Sequence, residues 1–368
     1  MIRPIAWFAV LLGSLITSAG PLRAQSAPPT DSARVSYAVL PAVFYLPETG
    51  FGGGGVLGRY ARGVDGSSAV SSTVMAALVT TKRQVILQAS ADWFLPEGRR
   101  FFGKVKAERF PNTFFGVGPL APIELAEDYG KATLIVEGSY LWPLTQHFRL
   151  GPSASAQVER IYEWDPVGAL STAMGPIGNQ YGMGSVGVEA SWDRRDAVYD
   201  TKRGVYAMLR AQYLLGRASA GRGDGAAHIE IDLRGYFPVY GLPIGGQSVA
   251  LNVFYEGVPG VTNPLLFPQL GGDERMRGFT EGRFRDRHYV GTQLELRSPL
   301  FWRLKGTVFG SYGNVGPTLP ALRRGPLRWS AGFGGWLRVN PEGVHLRLDF
   351  AWGEDGEFGI YATVGEAF

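Results

Sequence analysis

From about Val35 to the C-terminus, apolar and polar residues alternate with a period of two, and Gly, Pro, Asn and Asp interrupt the alternation. In Val344-His345-Leu346-Arg347-Leu348-Asp349-Phe350-Ala351-Trp352 the residues Val344, Leu346, Leu348, Phe350 and Trp352 share one face, and His345, Arg347 and Asp349 the other. That is a strand with two different surroundings. Val290, Leu294 and Leu296 oppose Gln293, Glu295 and Arg297 in the same way, as Ile229, Ile231 and Leu233 oppose Glu230, Asp232 and Arg234. Val105 and Ala107 oppose Lys104, Lys106 and Glu108. About sixteen such segments follow one another: 35–46, 51–62, 69–81, 83–93, 99–110, 128–142, 146–163, 180–193, 203–216, 225–238, 246–258, 287–299, 303–313, 326–339, 343–353 and 357–368. No helical period competes with them. A soluble β-sandwich alternates too, but so many strands behind an export signal favour a transmembrane antiparallel β-barrel, apolar outside and polar in its lumen.

An even strand number puts both chain ends on one side, and the odd connections should then be the long, external ones. They are long at 111–127, 164–179, 217–224, 259–286 and 314–325, whereas Pro143 to Thr145, Val239 to Gly245 and Asn340 to Glu342 are short and even. The odd connections at 47–50 and Lys82 are brief exceptions.

The N-terminus explains how such a chain would reach a membrane. Arg3, an apolar stretch from Trp7 to Ile16, and Leu22-Arg23-Ala24 before Gln25 read as a signal peptide over 1–24. A short Ser/Pro/Ala segment (25–34) precedes the barrel (35–368). The apolar stretch is too short for a membrane helix, which takes about 20 residues. Loss of Arg3 and Arg23 lowers the net charge from +4 to +2, so nothing electrostatic points to nucleic acid. The absence of cysteine suits an exported chain that avoids stray thiols. Fifty-two glycines, 12% aromatics and only 18% charged residues suit tight turns and an aromatic exterior.

Candidate chemistry is sparse. His147, His228, His288 and His345 are scattered, with no spacing that marks a nucleophile–base pair or a metal cluster. No cofactor is implied, and an outer-membrane hydrolase is the least favoured reading. Gly52 to Gly55 lacks the strand–helix context of a phosphate loop and reads as a glycine-rich strand where the wall bends. Arg222-Gly223-Asp224 reads as a turn in an external loop.

The polar loop over 261–287 is the exception, too long and charged for a hairpin turn. It carries Gly271-Gly272-Asp273-Glu274-Arg275-Met276-Arg277-Gly278-Phe279. An arginine inside a lumen needs an acid, and Asp349, Glu295, Glu256, Glu230, Asp232, Glu189 and Glu108 all fall on inward positions. Gly278 permits a tight bend and Phe279 can wedge against a wall. From the residues alone, a lumenal latch and an exposed loop tip stand level.

Met276-Arg277-Gly278-Phe279, after the lead-in Phe267-Pro268-Gln269-Leu270-Gly271-Gly272, resembles the Val/Ile-Arg-Gly-Phe/Tyr signature of the BamA/TamA superfamily, the bacterial surface antigen barrels. Pro47-Glu48-Thr49-Gly50, Asp193-Arg194-Arg195-Asp196 with Gly204, and Leu346-Arg347-Leu348-Asp349 are similar to further family segments, so the resemblance covers about 35–368. It implies a 16-stranded barrel in the bacterial outer membrane whose sixth external loop enters the lumen. There its arginine is held by an aromatic and an acid on the thirteenth strand. Phe309 matches the aromatic, but the acid's place is taken by Ser311, which leaves Asp349 as the first alternative partner. Family assembly factors carry POTRA domains ahead of the barrel, and this sequence resembles a POTRA-less member. Phe368 matches the terminal aromatic that marks such chains for barrel assembly, although Glu366 departs from that pattern. The implied function is a gated pore or membrane-perturbing barrel in protein or lipid translocation or assembly, the alternative being a passive diffusion channel or structural barrel. Expected partners are outer-membrane lipids, the barrel assembly machinery during biogenesis, and a periplasmic or protein client.

Overall fold

The computed structural model describes residues 34–46, 50–62, 69–175, 178–218, 225–241 and 245–368. The expected signal peptide, the segment after it up to residue 33, Pro47-Glu48-Thr49 and Arg222-Gly223-Asp224 lie outside them. The chain folds into one 16-stranded antiparallel meander. Its strands are β1 (Arg34–Leu46), β2 (Gly50–Arg62), β3 (Val70–Thr80), β4 (Val85–Phe94), β5 (Arg100–Phe114), β6 (Glu127–Pro143), β7 (Phe148–Tyr162), β8 (Gln180–Asp193), β9 (Gly204–Ala218), β10 (Gly225–Pro238) and β11 (Ser248–Gly257). After a long loop come β14 (His288–Phe301), β15 (Leu304–Gly316), β16 (Arg328–Arg338), β17 (His345–Gly353) and β18 (Phe358–Val364). Two short strands, β12 (Gln269–Leu270) and β13 (Phe284–Arg285), pair with each other inside that loop. Every predicted strand is present.

The alternation sorts as the pattern requires. Val39, Met75, Val186, Leu294, Val308 and Phe333 stay exposed on the outside, while Glu189, Asp232, Gln293, Glu295, Arg297, Arg347 and Asp349 are buried within. Cost explains the sorting: a Lys or Arg on the lipid face at mid-membrane costs about 2–4 kcal/mol. Inside, the charges are paired: Lys104 with Glu137, Glu108 with Lys106 and Lys131, and Arg210 with Glu189 and Glu230.

Three features differ from expectation. The connections 163–179 and 317–327 each contain a six-residue helix, α1 (Ala169–Met174) and α2 (Leu319–Arg324). Fewer than two turns are too short to register as helical periodicity. The connection 194–203 is even yet long, against the parity expectation that the long connections are the odd ones. Finally, the last strand ends at Val364, not at residue 368. Gly365 takes a φ of +103°, which turns the chain inward and buries Ala367 and Phe368 against Tyr236 and Ala250.

β1 and β18 are the edges of the sheet, and among the described residues no ladder joins them. They meet instead through side chains. Ala38 of β1, Tyr60 of β2, Val70 of β3 and Val344 form a buried cluster against which Val364 of β18 packs. Ser36 of β1 also hydrogen-bonds Glu342, in the connection between β16 and β17.

Candidate functional site

The loop over 258–287 does not project from the barrel. Its base is closed by the Val258 N–H donating to Arg287 O at 2.8 Å. The β12–β13 ladder then folds it double and sends it across the lumen. Leu265 packs on Phe114, Tyr129, Ile161 and Tyr181 of β5 to β8. The Gly118 N–H donates to Arg285 O (2.8 Å), and Arg283 Nη1 donates to Ala121 O (3.0 Å) on that far wall. On the near side Met276, Phe279, Leu270 and Phe284 make a buried cluster with Phe254, Tyr289 and Val315.

At the tip the chain turns with Met276 at φ +58° and Gly278 at φ +111°. A Cβ on Gly278 would lie 2.7 Å from the Trp352 carbonyl carbon and 2.9 Å from Gly353 N, so only glycine lets the loop reach the wall. The Gly278 N–H donates to the Tyr361 hydroxyl (2.9 Å), which itself donates to Phe279 O (3.3 Å). Phe279 is fully buried edge-on to Phe284.

This turn aims Arg277 into the wall. Its guanidinium is 0% exposed, lies 3.6 Å from the centre of the Phe309 ring, and bonds Asp349 Oδ2 at 2.5 Å and the Glu295 carboxylate. The latch reading of the residues therefore has its geometry. Asp349 is a partner, Phe309 is the aromatic support, and Ser311 is not among the hydrogen-bond partners of the arginine. Its hydroxyl instead meets Gln293 at 3.5 Å. Register explains how an acid is still supplied: Glu295 of β14 lies directly across from Phe309. One carboxylate has moved to the neighbouring strand and a second comes from β17.

Each acid is shared. Arg347 lies 2.9 Å from Asp349, and Arg297 bonds Glu295 at 2.9 and 3.0 Å and Glu366 at 2.6 Å. Three guanidiniums thus meet three carboxylates, which leaves the buried cluster neutral and offsets the desolvation of each charge.

Arg275, two residues earlier, forms a second anchor. It lies 3.6 Å over the Phe254 ring and bonds Glu256 at 2.7 Å, and Glu256 also meets His228 at 3.1 Å. Phe254 and Glu256 are an aromatic and an acid two apart on one strand, the spacing sought at Phe309 and Ser311. That spacing was the signal for it in the sequence. Phe368, expected at the end of an alternating strand, lies inside the barrel, where the Tyr236 hydroxyl donates to its carbonyl (3.2 Å). The histidines remain apart: His228 bonds Glu256, His288 meets Tyr255 at 2.9 Å, and His345 lies against Trp336. Among the described residues no group of three His, Cys, Asp or Glu is placed to hold a metal.

A closed-over lumen, a polar interior and a doubled loop pinned by buried arginines define a transmembrane β-barrel with an internal plug. The family follows from a direct match: residues 178–368 fit the Omp85 superfamily domain, and the chain belongs to that superfamily of outer-membrane barrels. Among solved structures it is similar in fold to BamA from Haemophilus ducreyi lacking POTRA domains 1-3 (TM-score 0.57, 13% identity, 90% of this chain and 70% of that one). It is also similar to CdiB from Acinetobacter baumannii (TM-score 0.53, 12% identity, 91% of this chain and 65% of that one). No curated protein matches the sequence. The long loop lies at the end that the parity of the connections leads one to expect as external, and the connection between β8 and β9 lies at the opposite end.

Proposed function

We propose that this barrel is a gated passage of the outer membrane, closed by the loop over 258–287 and opened for a protein or lipid that crosses or inserts. The observation that carries this reading is the fully buried Arg277 held between Asp349 and Glu295. A passive pore gains nothing from a plug whose release requires breaking a desolvated ion cluster. A latch with several carboxylates shared among arginines, by contrast, has both a strong closed state and a defined point of release.

The wall itself supports action on the bilayer. β18 has seven residues and β17 nine, against 17 in β6. At about 3.3 Å per residue and a tilt of about 40°, β18 covers roughly 18 Å, short of the roughly 25 Å apolar band of an outer-membrane barrel. Lipid beside the unladdered β1–β18 seam is therefore under mismatch, which favours local thinning. Expected partners are outer-membrane lipids, the assembly machinery that inserts the barrel, and a client protein or lipid.

The absence of cysteine provides the test. Ser155 faces the lumen, with its hydroxyl 2.7 Å from that of Ser185. A Ser155→Cys protein is refolded and its labelling by a small thiol reagent is timed with and without Arg277→Ala. The wild-type latch should protect the cysteine, and Arg277→Ala should speed labelling severalfold. Equal rates, or a large steady current through the wild-type protein in a planar bilayer, would replace this reading with a passive channel.

A further inference from the structure

We propose that residues 194–203, which connect β8 to β9, are a second closure: a strap across the periplasmic mouth that also holds the β1–β18 seam from inside. This rests on the reading of the lumen as a gated passage, and deepens it.

The argument begins with position. β8 and β9 are the eighth and ninth of sixteen strands, so β1, β2 and the last strands lie on the opposite side of the barrel. A tight turn between β8 and β9 would touch only its own strands. This one reaches the far wall. The Asp200 carboxylate pairs with Lys305 of β15 and with Arg338 of β16 (2.8 Å). The Thr201 N–H donates to Glu366 at 3.2 Å, beyond β18. Tyr199 meets Tyr60 of β2 edge-on at 5.6 Å and packs against the cluster of Ala38, Val70 and Val344 that spans the seam. Such contacts can be made only by crossing the mouth.

The strap is built to hold its shape. The Asp193 carboxylate accepts the Arg195 N–H (3.1 Å) and its guanidinium (2.8 Å). The Arg194 N–H donates to Val205 O, the Asp196 N–H to Arg203 O, and the Thr201 hydroxyl to Ala197 O. Asp200 has a φ of +58°, a backbone state that a non-glycine residue keeps only when its surroundings impose it. Thr201 is 1% exposed. On the receiving side, a Cβ on Gly343 would come within 3.0 Å of the Asp200 side chain, so the connection between β16 and β17 is shaped to admit the strap.

With a closure at each end, either opening alone should admit a small reagent, but only both together should pass current. In the Ser155→Cys protein, Asp200→Asn keeps the side chain's shape and removes the charge; it should label about tenfold faster than its parent, the effect of losing charge-assisted bonds. It should remain nonconducting, Arg277→Ala alone should conduct little, and the double variant should carry a steady current. Should Asp200→Asn fail to refold, as judged by heat-modifiable gel mobility, Tyr199→Ala provides the same comparison. The proposal is overturned if strap variants label at the parental rate, or if Arg277→Ala alone conducts as well as the double variant. Fast labelling of strap variants beside an inert Arg277→Ala would retain the strap and overturn the plug instead.

Discussion

Arg277→Ala is the perturbation whose size the structure specifies best. It removes a guanidinium with no solvent exposure, one ring contact at 3.6 Å and ion pairs to two buried acids. Removing one member of a buried pair costs about 3–5 kcal/mol, because the partner charge is left desolvated. Here neither acid is abandoned: Asp349 keeps Arg347 at 2.9 Å and Glu295 keeps Arg297. The loss therefore falls at the lower end, about 3 kcal/mol, which shifts the local opening of the loop tip by a factor of roughly 150. Hydrogen exchange at the Gly278 amide reads this directly, since that N–H is bonded only while the tip sits on Tyr361. Exchange should accelerate by about two orders of magnitude, while amides in β5 to β7 keep their protection. Asp349→Asn should give part of the same acceleration, and the double variant should be no worse than Arg277→Ala alone, since both act on one pair. A Gly278 amide that exchanges within threefold of wild type in Arg277→Ala would refute the latch, and additive effects would refute the pairing.

Arg275 uses a different acid and a different ring, so Arg275→Ala should loosen the loop on its own. Combined with Arg277→Ala it should add nearly in full in the same exchange measurement; strong non-additivity would mean that the two arginines form one unit. Gly278→Ala introduces a Cβ 2.7 Å from backbone at a φ of +111° and should unseat the tip as much as Arg277→Ala does, with the charges untouched. A wild-type exchange rate would show that the wall can yield there. The periplasmic strap should respond to acid. Burial pushes the Asp200 carboxyl up, but the Lys305 ammonium, then His345 and Lys202, outweigh it and hold it below the ordinary aspartate value, with Arg338 also facing it. A lowered folded value means that the stabilisation is full above the ordinary aspartate range and lost as pH falls through the folded value. Current through Arg277→Ala protein should accordingly rise in strong acid, and Asp200→Asn should remove that rise; identical pH profiles would count against Asp200.

Much of this was legible along the chain because alternation is local. Leu346, Leu348 and Phe350 face lipid and Arg347 and Asp349 the lumen for a reason written in adjacent residues: successive side chains of a strand point to opposite faces. The same reasoning marked Arg277 as needing an acid and named Asp349 and Glu295 among the inward ones. The resemblance put Asp349 first; that Glu295 joins it depends on register, which sets Glu295 across from Phe309, and on how the sheet curls to bring β17 beside the loop tip. Arg275 escaped notice because its site, Phe254 and Glu256, lies on the strand before the loop and not on the strand after it.

The strands, their two faces, the long polar loop and the need of its arginine for a counter-charge can all be read along the linear chain. All of these follow from periodicity, turn chemistry and the cost of a bare charge. Which carboxylates meet Arg277, the crossing of the mouth by residues 194–203, and the turn at Gly365 that takes Phe368 into the lumen away from the strand are set by the fold. Each of those joins residues far apart in the chain, such as Thr201 and Glu366, and their proximity comes from how the whole sheet curls, which no local pattern along the chain encodes.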